Sequence, residues 1–493
     1  MILTTLPILI PLVLIIVLMF SKSSIFSEVV TIIGTFTLLA VSLIATIYVN
    51  NNGLLVAYIG GWQAPYGITL VIDHFSSILL LTTSIILVSI SIYALKYFPK
   101  TSQYKRFYIF FFTLTMGING AFITGDIFNL YVWFEVMLLS SFVLITFGNQ
   151  KQQLQGGIKY LAMNLVGSLF LLAGIGLIYG KTGTLNIAKL AEIIGNYEGE
   201  IFWLNTSGIL IFIAFGIKAA LFPLFYWLPA SYHTPNITIT SLFAGILTKV
   251  GVYALVRFFT LFLAIDQEFW QNLILTIAGL TMLSGGMAAS TQYDNRKILS
   301  YHIISQIGYM IMGLGIFTTL SIAGAIFFIM HNMIAKTNVF LTAGMIDKIK
   351  GTYNLKNLGG LYKSNPLMAF LFIIPAFALA GIPQLSGFFA KFILIKAGFE
   401  DGHYITTSVA LFTGLLTLYS MIKIWNEAFL KKAPEHVSDN KNIKLTFKDY
   451  LPSVILGSIS ILMGIFASEV FDFVHHAAES LMDNATYIKS VLK

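Results

Sequence analysis

The sequence predicts an all-α polytopic membrane protein of about fourteen transmembrane helices, and three observations carry that expectation. The 493-residue chain is 57% hydrophobic and only 10% charged, with mean hydropathy +0.84, whereas a soluble domain is about 25% charged. Apolar runs of about 18 residues or more, long enough to cross a bilayer as helices, recur along its whole length. Two of these runs are interrupted by prolines beside a lysine.

The first run, near 2–20, has neither a basic flank nor a small-residue cleavage site ahead of Ser21, so it reads as a retained span. Further spans fall near 28–49, 71–95, 107–124, 128–147 and 158–180. Eight more follow near 205–228, 236–263, 272–291, 297–318, 321–346, 367–398, 404–430 and 450–473. Between the second and third spans, NNGLLVAYIGGWQAPYG is bracketed by Asn-Gly and Pro-Tyr-Gly turn signals and reads as a short outer hairpin. It serves either as a plain surface loop or as a contact for a neighbour. The chain divides into a three-helix segment with this hairpin (1–106), two five-helix units (107–263 and 264–430), and a cytoplasmic loop with a C-terminal helix (431–493).

Loop charge sets the orientation. About eighteen basic residues, among them Lys96, Lys100, Arg106, Lys348, Lys441 and Lys444, lie in loops after odd-numbered spans, against about four on the other side (Lys181, Lys189, Lys489 and Lys493). The positive-inside rule then places both termini outside the cytoplasm, in a plasma membrane. The net charge of +8 records this orientation, and no nucleic-acid motif competes with it. The absence of cysteine excludes disulfides and thiolate-held iron–sulfur clusters. No cofactor or metal site is legible.

The seventh span, GILIFIAFGIKAALFPLFYWLPASYHTPNI, carries Lys218 ahead of Pro223, Pro229 and Pro235. Proline removes a backbone donor and clashes one turn back, so this helix breaks near residues 219–223. The twelfth carries Pro375 and Pro383 upstream of Lys391 and breaks as well. Broken spans mark cavities, because freed backbone groups need protein or water partners in a bilayer. The two breaks are five spans apart, which makes spans 4–8 and 9–13 candidate inverted repeats.

Charged residues inside these spans cost roughly 2.5–3.5 kcal/mol each at mid-membrane, so they are functional by default. Glu135, Lys218, Lys249, Lys336 and Lys391 form this set, with Arg257 at a helix margin, while His331 is either a hydrogen-bonded core histidine or a member of a proton relay. Glu135 and Lys218 are natural partners, whose closeness would keep both charged and whose separation would favour neutral forms. That makes a proton switch; a static buried ion pair is the plain structural alternative. His331 and Lys336 stand roughly 140° apart on their helix, while Asn332 and Lys336 share a face. Ser300, Tyr301, His302, Ser305 and Gln306 in the tenth span either hold water or glue helices together. A carrier of small organic anions, bound by the lysines, is a further reading, weakened by the scarcity of paired arginines.

The segments DIFNLYVWFE, FGIKAALFPLFYWLPASYHTPNITITSLFAGILTKVGVYALVRF, DNRKILSYHIISQIGYMIMG, HNMIAKTNVFLTAGMI and LAGIPQLSGFFAKF resemble the antiporter-like, proton-translocating membrane subunits shared by respiratory complex I, membrane-bound hydrogenases and Mrp cation/proton antiporters. The resemblance implies fourteen helices, inverted five-helix repeats with broken seventh and twelfth spans, and a polar central axis. It assigns that axis to Glu135, Lys218, Lys249, His331 and Lys391. A lysine at 391 fits the complex I N-like and Mrp D-like branches rather than the M-like one, and the chain looks most like the Mrp D branch. That branch implies Mrp A, B, C, E, F and G type membrane partners, and sodium moved elsewhere in the complex. The N-like branch implies coupling to quinone reduction instead.

Overall fold

A computed structural model describes residues 2–98, 104–262, 266–434 and 445–493. Lys100, Lys441 and Lys444 of the orientation count, the boundary residues 263 and 264, and the stretch 435–444 of the closing segment lie outside the described residues. Thirteen helices among the described residues are long and apolar enough to cross a membrane. The expected span missing from these, the twelfth at 367–398, is instead two shorter helices.

The chain begins with α1 (Ile2–Phe20) and α2 (Ser24–Asn52), both with many side chains facing outward. The expected hairpin follows as β1 (Leu55–Tyr58) and β2 (Thr69–Ile72), paired antiparallel from Leu55 opposite Ile72 to Tyr58 opposite Thr69. Thr69 O accepts the Gly125 N–H at 2.8 Å and Thr69 Oγ1 accepts from Asn186 at 3.2 Å, so the strand is tied to the ends of neighbouring spans. Next come α3 (His74–Tyr97), α4 (Tyr104–Ile123), α5 (Ile127–Thr146) and α6 (Lys151–Thr182). A short helix not expected from the sequence, α7 (Ile187–Gly195), begins at an Asn186 cap that accepts from the Lys189 N–H at 3.1 Å.

The seventh span is α8 (Phe202–Ala219), a turn, and α9 (Trp227–Ser231). The eighth is α10 (Ile237–Leu242) and α11 (Thr248–Phe262), joined through a π-turn at Phe243–Leu247. Then come α12 (Gln267–Thr291), α13 (Asn295–Ile316), α14 (Thr319–Lys350) and the one-turn α15 (Leu361–Ser364). The twelfth span is α16 (Pro366–Ala380) and α17 (Ser386–Glu400), followed by α18 (Tyr404–Trp425).

The prolines and the C-terminus depart from expectation. Pro375 does not interrupt its helix: α16 runs through it, and the chain turns only at Gly381, whose φ of +89° is the left-handed conformation glycine adopts without a Cβ clash. Pro383 lies in that turn. Pro229 likewise sits in the first turn of α9 and does not break it, because the first residues of a helix have no intrahelical N–H bond to lose. Nor does the chain close on a single helix near 450–473. It forms α19 (Phe447–Ile465), then the amphipathic α20 (Ala467–Met482) and α21 (Asn484–Val491). Val474, Ala477, Ala478 and Leu481 bury one face of α20, while Glu469, Asp472, His476 and Glu479 keep the other polar. Such a helix packs on the protein instead of spanning.

The organising element is α14, which is buried along nearly its whole length. It packs against α3, α10, α13, α16, α17, α19 and α20. The polar side chains His331, Asn332, Lys336 and Asn338 on α14 are therefore buried between helices that precede and follow it in the chain.

Candidate functional site

Lys218 occupies the last turn of α8, where unpaired helix carbonyls favour a cation. The chain leaves the helix through Ala220, at φ +64°. Its freed backbone groups are taken up locally. Trp227 Nε1 donates to Ile217 O at 2.9 Å, Leu221 N to Gly216 O at 2.8 Å, and Phe222 N to Thr281 Oγ1 of α12 at 3.0 Å. Pro223 lies in this turn.

Glu135 on α5 is half-buried and does not pair with Lys218 directly. Ser168 of α6 stands between them: its hydroxyl donates to Glu135 Oε1, and it accepts from Lys218 Nζ at 3.3 Å. The lysine also lies 4.8 Å from the centre of the Phe134 ring. The pair expected from sequence is thus bridged, and one hydroxyl couples both charges. Replacing Ser168 with alanine removes a hydrogen bond worth about 1.5 kcal/mol and should lower ion exchange in membrane vesicles about tenfold at unchanged complex levels. An unchanged rate would make the bridge incidental.

Beyond Lys218 lies a cavity of about 20 Å³, lined by Tyr160, Asn164, Lys218, Trp227 and Leu247 among others. That is room for about one water molecule. Lys249 follows on α11, fully buried, with Nζ donating to Ala244 O at 2.6 Å. The π-turn supplies this acceptor, since widening a helix by one residue frees a carbonyl. Gly251 fixes the approach of α11 to the end of α8: a Cβ there would lie 2.6 Å from Ala219 N.

In the second unit, Lys336 on α14 is fully buried and its Nζ has no hydrogen-bond partner among the described residues. The ionisable groups that act on it are Lys249 and Lys391. Both ring nitrogens of His302, both amide atoms of Asn332, Ser305 Oγ, Gln306 Oε1 and His331 Nε2 also lack protein partners there. Leaving one buried polar atom unsatisfied costs about 1–3 kcal/mol. Together these groups make a buried polar seam between α13 and α14. Two of the expected water-holding residues stand apart: Ser300 donates to Arg296 O of its own helix at 2.7 Å, and Tyr301 is only half-buried.

Lys391 on α17 reaches across the second break. Its Nζ donates to Leu379 O at 2.9 Å and Ala380 O at 3.1 Å, the carbonyls exposed where α16 stops. It lies 5.2 Å from the centre of the Tyr309 ring. His331 Nδ1 shares a 2.8 Å hydrogen bond with Ser386 Oγ at the start of α17, and Ser386 meets Ser460 of α19 at 3.0 Å. Sequence reasoning missed Ser168, Tyr309, Ser386 and Ser460. A serine or tyrosine inside a membrane helix is common, so only their placement distinguishes them.

Arg257 does not join this line. It pairs with Asp73 at 2.5 Å and lies 5.8 Å from the Tyr487 ring of α21, which makes it a structural tie at the far end of α11. On the basic face, a larger cavity of about 710 Å³ opens beside the start of α10, lined by Asn149, Gln153, Asn236, Arg296, Asp347 and Tyr353 among others.

Buried lysines on both interrupted spans, with further buried polar side chains on α13 and α14, define a polytopic membrane protein with ionisable groups in its interior. The chain belongs to the NADH:quinone oxidoreductase/Mrp antiporter transmembrane family, whose pattern matches residues 124–417. It is 44% identical to the D subunit of the Na(+)/H(+) antiporter of Alkalihalophilus pseudofirmus over 100% of this chain and 99% of that protein. It is 38% identical to the corresponding D subunit of Bacillus subtilis, with 99% of each chain covered. Among solved structures, a chain of the Mrp complex from Dietzia sp. DQ12-45-1b superposes over 100% of both chains with TM-score 0.91 at 28% identity.

Proposed function

We propose that this chain is the D-type, proton-translocating subunit of a multisubunit Na+/H+ antiporter in a bacterial cell membrane, a secondary transporter component and not an enzyme. Protons move through Glu135, Lys218, Lys249, Lys336, His331 and Lys391, joined by water. The observation that carries this reading is the fully buried Lys336, without a hydrogen-bond partner among the described residues, together with the unpartnered His302 and Asn332. A static ion-pair network would leave none of these groups unsatisfied. The breaks after Ala219 and Ala380 support the arrangement of spans 4–8 and 9–13 as inverted repeats.

The basic face is taken as cytoplasmic and both termini as external, as the loop charges require. The 710 Å³ cavity supports admission of water from that face, because it abuts the start of α10, which leads directly into the π-turn. Other membrane subunits of the A, B, C, E, F and G type complete the complex, and sodium crosses in one of them. The cavity of about 20 Å³ beside Lys218 is too small for an organic anion, which disfavours a carrier of such substrates.

The family also includes subunits of NADH:quinone oxidoreductase, so a redox-coupled role is the second reading. Affinity purification of the tagged chain from native membranes separates the two. Antiporter-type membrane subunits, with sodium-dependent collapse of a pH gradient in vesicles, are expected. Co-purification of iron–sulfur subunits, with quinone-driven proton movement, would replace this reading with the redox one.

A further inference from the structure

Lys356 and Lys423 approach one aromatic ring on the basic face. Lys423 Nζ lies 3.8 Å and Lys356 Nζ 4.6 Å from the centre of the Tyr293 ring. Lys423 caps the end of α12, donating to Ser290 O at 3.1 Å and Gln292 O at 2.7 Å. Lys431 joins them, its Nζ donating to Lys356 O at 3.3 Å and to Glu427 at 2.9 Å. Glu427 is thus taken by Lys431. Neither Lys356 nor Lys423 has a carboxylate within ion-pair distance among the described residues. Two ammonium groups brought to one ring repel each other, and the nearby Glu427 carboxylate is bonded to Lys431 and not to either of them.

The ground beneath these lysines is apolar. They stand at the end of the seam between α12 and α18, where Met287, Leu415, Tyr419 and Ile422 are exposed. Tyr293 and Tyr362 are exposed beside them, at the level where aromatic side chains mark the membrane interface. A cationic head site beside exposed apolar side chains of two membrane helices matches one ligand chemistry, a phosphate esterified to acyl chains.

We propose that an acidic phospholipid of the cytoplasmic leaflet binds here, its phosphate held by Lys356 and Lys423 and its acyl chains lying along the α12–α18 seam. Tyr293 sets the spacing of the two ammonium groups. The anchor fixes the ends of α12 and α18, and α12 also supplies the Thr281 hydroxyl that holds the first break.

The test uses the full-length chain purified in a neutral detergent and titrated separately with dioleoylphosphatidylglycerol, dioleoylphosphatidylcholine and inorganic phosphate. Bound lipid is read by native mass spectrometry. Phosphatidylglycerol should be retained in preference to phosphatidylcholine. Lys356→Gln should weaken that retention about fivefold and Lys356→Glu more, as expected for about 1 kcal/mol per lysine at an anionic surface. Lys356 is exposed, so its variants should keep the native gel-filtration profile. Lys189→Gln, on the opposite face, should leave retention unchanged. Equal retention of the two lipids, no effect at Lys356, or full displacement by inorganic phosphate would each overturn the proposal, the last by reducing the site to one for free anions.

Discussion

Lys391→Ala should lower exchange by at least about 100-fold, the scale on which a positioned acid–base group acts, while the complex assembles at native levels. The side chain has two roles that this substitution alone does not separate. It caps Leu379 O and Ala380 O at the second break, and in the proposed path it carries and releases a proton. Arginine separates them. Lys391→Arg keeps a donor for both carbonyls but does not deprotonate in proteins. If proton release is the function, the arginine variant should be as inactive as the alanine one. Recovery of exchange with arginine would reduce Lys391 to a helix cap.

Gly387→Ala should be nearly as damaging, by a different route. A Cβ at residue 387 would overlap Ala378 O and lie 2.8 Å from His331 Cε1. The start of α17 would have to move off the end of α16, which separates Lys391 from its carbonyls and Ser386 from His331. Overpacking of this kind costs about 1–3 kcal/mol. Exchange should be lost even where some protein survives, as measured by quantifying both in the same membranes. Gly176→Ala on α6 is the matched control, since a Cβ there meets nothing within 4 Å. Wild-type exchange in Gly387→Ala would show that the second break tolerates repositioning.

Much of this arrangement could be read from the chain because a bilayer imposes simple rules. Length and polarity located the spans, and a lysine beside prolines located both interruptions. The details that escaped depend on long-range contacts. Nothing near Glu135 announces Ser168, 33 residues away, so a direct pair with Lys218 was the natural expectation. Gly381 rather than Pro375 ends α16, because proline fits inside a helix when its neighbours satisfy the freed carbonyl. The π-turn ahead of Lys249 has no compositional mark at all. α20 was missed because its polar face dilutes the apolar signal that marks a span.

A single proton path through both five-helix units is tested most directly by ΔpH-driven sodium/proton exchange in vesicles carrying the whole complex. Native protein would be compared with Lys218→Ala and Lys336→Ala at matched complex levels. Each substitution should abolish exchange, since each removes a group from a single line. Exchange that survives loss of both lysines would make them structural and move the proton path to another chain of the complex.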